Sequence, residues 1–128
     1  MYALWLSNHP CSEEQREEME RLFDCPVMEL GPEAKSLWGS VPPTADMDFI
    51  QNLFSRILEV EGVNIKEVKV FAVMGELSLC VAAIRVGALF GIRVCTTTTF
   101  RESTEDRMPD GTVRKTNVFR HCRIRTIV

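Results

Sequence analysis

Short apolar runs of strand character alternate with stretches of helical period along this chain, and that alternation constrains the fold more than any other feature. Residues 2–6, Tyr-Ala-Leu-Trp-Leu, read as a buried strand ending in the turn-forming set Ser7-Asn8-His9-Pro10. Ser12-Glu13-Glu14-Gln15 matches a capping box, in which the Ser and Gln side chains satisfy backbone amides at a helix start. Met19, Leu22 and Phe23 give that helix one apolar face, and it should stop near Asp24, ahead of Pro26. Residues 27–30 form a second strand, broken by Gly31-Pro32. Residues 33–38 make one helical turn, and Val41-Pro42-Pro43 is a stiff extended connector.

A strong amphipathic helix is predicted over 46–61, with Phe49, Ile50, Leu53, Phe54, Ile57 and Leu58 in its apolar stripe and Gly62 at its end. A strand follows over 67–74. After Gly75-Glu76-Leu77-Ser78 comes a very apolar helix to Phe90, closed by Gly91. Its apolar residues point in several directions, which predicts burial on more than one side, by the sheet or by a second subunit. Residues 92–99 are another strand, 100–112 a polar connection with the turn signal Pro109-Asp110-Gly111, and 113–128 a long final strand that reads as a hairpin together with residues 92–101. Strict alternation puts Val118, Arg120, Cys122 and Ile124 on one face of it, and Phe119, His121, Arg123 and Arg125 on the other.

The element order predicts one α/β domain over residues 1–128: a Rossmann-like, mostly parallel sheet with helices on both faces and a C-terminal β-hairpin. No G-x-G-x-x-G follows the first strand, which disfavours a dinucleotide coenzyme. The five cysteines form no close pair, so reduced thiols are expected rather than disulfides or a zinc ribbon. No apolar run is long enough to span a membrane, and the N-terminus lacks the basic region of a signal peptide; a cytoplasmic, membrane-free protein is expected.

Charge is unevenly spread. Residues 1–100 hold 8 Lys+Arg against 14 Asp+Glu, whereas residues 101–128 hold 7 against 4. A basic tail on an acidic body suggests a local anion site and no duplex-DNA surface; a solvated basic strand without a ligand is the plain alternative.

Ligands of open α/β sheets bind beyond the carboxyl ends of the strands. Three such ends carry small or polar residues here: Ser7-Asn8-His9, Gly75 to Ser78, and Thr96 to Thr99. Gly75 permits close backbone approach and Ser78 sits at a helix N-terminus, although both also suit a tight turn and a cap. Thr96 and Thr98 present hydroxyls, with Arg101 beyond them, although threonines also simply favour strands. Arg120 and Arg123 offer forks that match phosphate. His9 and His121 are the two histidines, each as able to hold structure as to move a proton. No His, Cys or carboxylate spacing makes a metal site, and no G-x-S-x-G elbow supports a serine nucleophile.

Leu4-Trp5-Leu6-Ser7-Asn8-His9-Pro10 before the Ser12 helix, Leu37-Trp38 with Pro42-Pro43, Thr96-Thr97-Thr98, Pro109-Asp110-Gly111-Thr112-Val113, and Val118 to Arg123 together resemble a small ancillary ring-nuclease family of type III CRISPR loci. That family is related to the CARF (CRISPR-associated Rossmann-fold) domains. Gly75-Glu76-Leu77-Ser78 departs from its pattern, where a Gly-Asp-Phe-Gly-like loop stands. The resemblance implies a CARF-like homodimer that binds cyclic oligoadenylate, in particular cyclic tetra-adenylate, across its two-fold axis. It implies metal-independent ring opening, in which a ribose 2′-hydroxyl attacks the adjacent phosphodiester. On that footing His9, Arg120 and His121 are the catalytic candidates. Ser7, Asn8, Gly75, Ser78, Thr96, Thr98, Arg101 and Arg123 are the ligand-binding ones. A sponge that holds the ring uncut and an RNA-binding CRISPR accessory protein are the competing readings.

Overall fold

In the computed structural model, which describes residues 1–128, the alternating pattern becomes a five-stranded mixed sheet of order β2-β1-β3-β4-β5. Strands β1 (Tyr2–Leu6), β2 (Val27–Glu29), β3 (Val68–Val73) and β4 (Arg93–Arg107) pair in parallel. Strand β5 (Val113–Thr126) returns antiparallel to β4. Helix α1 (Glu13–Phe23) covers one face, burying Met19 and Phe23 against Ala3, Trp5, Val70 and Cys95. Helices α2 (Pro32–Trp38), α3 (Met47–Val60) and α4 (Leu77–Phe90) cover the other, where Trp38, Phe54 and Phe71 meet edge to face. No helix is long and apolar enough to cross a membrane.

Local chemistry explains the helix ends. The Ser12–Gln15 capping box closes reciprocally, with Ser12 N–H donating to Gln15 Oε1 at 2.9 Å and Gln15 N–H to Ser12 Oγ at 3.2 Å. Asp24 ends α1 in the left-handed region at φ 52°, and Gly91 ends α4 at φ 70°. Asp46 caps α3 through Phe49 N–H.

Three expectations change. Leu22 is exposed, so the buried stripe of α1 is narrower than its sequence suggests. Helix α4 buries only Leu79, Ala82, Ala83 and Gly87, while Leu77, Leu89 and Phe90 stand open. The polar stretch 100–107 is strand, not connection: it ladders with 113–120 as far as Arg107 opposite Val113. Beyond Cys95, β4 has no parallel neighbour, so the hairpin leaves the sheet as a two-stranded arm.

A bulge at the base of the arm alters its facing. Thr98 lies opposite Arg123 and Thr99 opposite His121, which leaves Cys122 as the extra residue. His121 therefore shares the α1 face with Ile124, where strict alternation would have parted them.

Candidate functional site

Strands β1 and β3 end side by side, Leu6 opposite Val73, and the chain leaving each builds a cavity of about 480 Å³. Ser7, Asn8 and His9 form one wall, Met74, Gly75 and Glu76 another, and Trp38, Gly39 and Val41 close the third. Each wall is held by specific bonds. Ser7 is buried, and its Oγ accepts the His9 N–H at 3.0 Å, which leaves the hydroxyl proton free to donate. Trp5 Nε1 donates to the His9 carbonyl at 3.0 Å and fixes the same loop from below. Trp38 Nε1 donates to the Met74 carbonyl at 3.0 Å.

Two glycines make room. A Cβ on Gly39 would clash with the Asn8 carboxamide, so the glycine lets that side chain cross there as it does. Gly75 has φ 151°, and a Cβ on it would lie 2.7 Å from Trp38 Nε1. A shallow groove continues past Asn8 and Gly39 to Lys35, Ser36 and Ser40.

Electrostatically the cavity is acidic. Glu76 caps α4 with its own carboxylate, accepting from Leu79 N–H at 3.1 Å. Hydrogen bonds from Ser78, the backbone N–H foremost, and from Leu79 hold that carboxyl below its ordinary range. The helix N-terminus expected to receive an anion is thus already occupied by one of the chain's own. No lysine or arginine lines the cavity.

The candidate residues divide into groups. Ser7, Asn8, His9 and Gly75 meet in the cavity; Ser78 does not line it. Thr96 and Thr98 spend their hydroxyls on structure, Thr96 Oγ1 donating to the Val73 carbonyl at 2.7 Å and Thr98 Oγ1 to the Arg123 carbonyl at 3.1 Å. Arg123 is exposed opposite Thr98, with no carboxylate partner. Arg101 is exposed on the arm, and Arg120 pairs with Glu102 at 2.7 Å. His121 lies on the α1 face, across the sheet from Trp38, its side chain 5% exposed. Its Nε2 meets Glu18 Oε1 at 2.7 Å, and Glu18 Oε2 accepts the Ile124 N–H at 2.6 Å. A carboxylate only accepts, so Nε2 carries the hydrogen, and the buried Nδ1 is left without a partner.

Trp38, Gly39, Val41, Met74 and Glu76 also line the cavity and were not singled out as contacts. Gly39 follows a helix of seven residues, too short for its periodicity to reveal where its end points. No cysteine lines the cavity, and burial pushes Cys11 up to about 11 and Cys95 up to about 12. No three His, Cys, Asp or Glu side chains converge as metal ligands.

Residues 1–125 match the sequence model of a family described as Uncharacterized protein MJ1673 family. The chain belongs to that family. The match takes in every element from β1 to nearly the end of β5, so the cavity and the arm both lie within the MJ1673 family region. No curated protein and no solved structure matches the chain.

Proposed function

We propose that this chain is a CARF-like, Rossmann-like ring nuclease that binds cyclic oligoadenylate, in particular cyclic tetra-adenylate, as a homodimer in the cytoplasm. It would linearise the ring and switch off type III CRISPR signalling. The observation that carries the reading is the meeting of Ser7, Asn8, His9 and Gly75 in one cavity at the carboxyl edge of the sheet, the edge where α/β folds take ligands.

The chemistry asks little of the protein. The substrate's own 2′-oxygen attacks the neighbouring phosphorus, the P–O5′ bond breaks, and the products end in 2′,3′-cyclic phosphate. The 2′-hydroxyl gives up a proton and the leaving 5′-oxygen takes one. Alignment and proton transfer suffice, with no metal in the scheme. His9 is the imidazole at the cavity, so proton transfer is assigned to it; His121 is committed to Glu18 and is assigned to holding the arm. Ser7 and Asn8 offer hydrogen bonds to ribose or base. The acidic lining points sugar and base inward and phosphates outward, toward Lys35 in the adjoining groove.

Mass spectrometry of products from cyclic tri-, tetra- and hexa-adenylate, with a chelator present, tests this. Linear products with 2′,3′-cyclic phosphate ends are expected, at a rate the chelator leaves unchanged. Tight binding of an uncut ring would convert the reading to a sponge. Indifference to the ring, with salt-sensitive binding of linear RNA, would overturn it.

A further inference from the structure

The β4–β5 arm is longer than one chain can support. Its free part, past the bulge, runs about 30 Å at the usual strand rise. A two-stranded ribbon without a covering layer is marginal in water. This one nevertheless shows apolar side chains: Phe119 is 69% exposed, Phe100 47% and Val118 42%. At the arm's root the same three residues line a cleft of about 490 Å³, whose opposite wall is the first turn of α1.

The two walls differ in charge. Arg101, Arg107 and Arg114 on the arm lack any carboxylate within 4.0 Å, and residues 101–128 are net basic. Helix α1 turns Glu13, Glu14 and Glu17 to solvent, none of them in an ion pair.

We infer that two copies of this chain pair about a two-fold axis through these arms, each arm seated in the other chain's cleft. Phe119 is then covered, and arm arginines meet α1 glutamates. Self-complementarity singles out a second copy as the occupant. One surface carries both the apolar, basic ribbon and the apolar, acidic cleft that fits it, as an isologous interface requires. RNA would meet the arm's arginines but be repelled by the glutamates beside them.

The pairing also completes the cavity. Helix α1 begins four residues after His9, so a partner arm lying on its first turn brings guanidinium groups beside a cavity that has none. That last step rests on the cyclic-oligoadenylate reading; the pairing does not.

Sedimentation velocity of the full chain, without nucleotide and over a micromolar concentration series, tests the pairing. A dimer is expected. Phe119→Ser, at an exposed position where circular dichroism should show the fold intact, should weaken dimerisation by about tenfold or more. Glu14→Lys/Glu17→Lys and Arg107→Glu/Arg114→Glu should each self-associate poorly, yet pair when mixed. A monomeric wild type overturns the inference. So does a dimer broken by Leu89→Ser/Phe90→Ser on α4 but indifferent to Phe119→Ser, or charge-reversed chains that stay apart on mixing. Failure of ring cleavage would count against the proposed function alone, because sedimentation is read without the ring.

Discussion

Glu18 on α1 holds the last strand at its bulge with both carboxylate oxygens, one on His121 Nε2 at 2.7 Å and one on the Ile124 N–H at 2.6 Å. Glu18→Ala strips the acceptor from both donors. A hydrogen bond to a charged group stabilises by roughly 1.5–3 kcal/mol. The two bonds share one carboxylate and do not simply add, so a loss of about 3 kcal/mol is expected. At an unfolding entropy of about 2.1 cal/mol/K per residue, that lowers Tm by about 11 °C for a chain of this size. Urea unfolding gives the free energy, and amide exchange at Ile124 shows whether β5 loosens first. Glu18→Gln keeps one acceptor and should cost about half as much.

The same site fixes a pH dependence. Burial alone raises the Glu18 carboxyl, but the Ile124 N–H, the His121 hydrogen bond and the charges of His121 and Arg21 outweigh it and leave it lowered. A carboxyl lowered on folding contributes stability above its unfolded pKa, about 4.3, and loses it as pH falls through the folded value. The gap between wild type and Glu18→Gln should therefore be full at neutral pH and close in acid. A Glu18→Ala effect below about 0.5 kcal/mol, within the range of ordinary surface changes, would refute the reasoning, as would a gap that stays flat into acid.

Gly39→Ala has an ordinary φ of −90° but places a methyl on the Asn8 carboxamide; it should weaken cyclic tetra-adenylate binding by about tenfold in titration calorimetry with little change in Tm. Gly75→Ala combines a φ of 151° with a clash on the Trp38 indole and should destabilise by about 2–4 kcal/mol in urea unfolding. His9→Ala should slow single-turnover ring opening by about 10²–10⁴-fold while binding is largely kept, and an unchanged rate would reject its role in proton transfer.

The sequence was most legible where backbone chemistry is local. The Ser12–Gln15 box, the end of α1 at Asp24 and the closing Gly91 could be read because caps depend on a few adjacent residues. Period failed in the arm. Residues 100–107 lie in a ribbon open to water on both faces, so no apolar alternation marks them as strand. The bulge was invisible for a related reason, since nothing in Cys122 announces an unpaired residue, and with it went the facing of His121. At the site, the loop Ser7-Asn8-His9 was readable from its place after a strand. Gly39 was not, because its role lies in a long-range approach to Asn8 that spacing does not encode.

The extra residue at Cys122 sets the rotational phase of everything distal to it. Drawing it into the ladder opposite Thr99, instead of leaving it out, would slip every later pair by one residue, so that Phe119 and Arg120 would trade sides. Amino-acid content would not change, yet the tip would display the opposite chemistry to whatever lies beside it. A one-residue slip of register there would act as a change of surface identity, transmitted along the ribbon like a twist along a shaft.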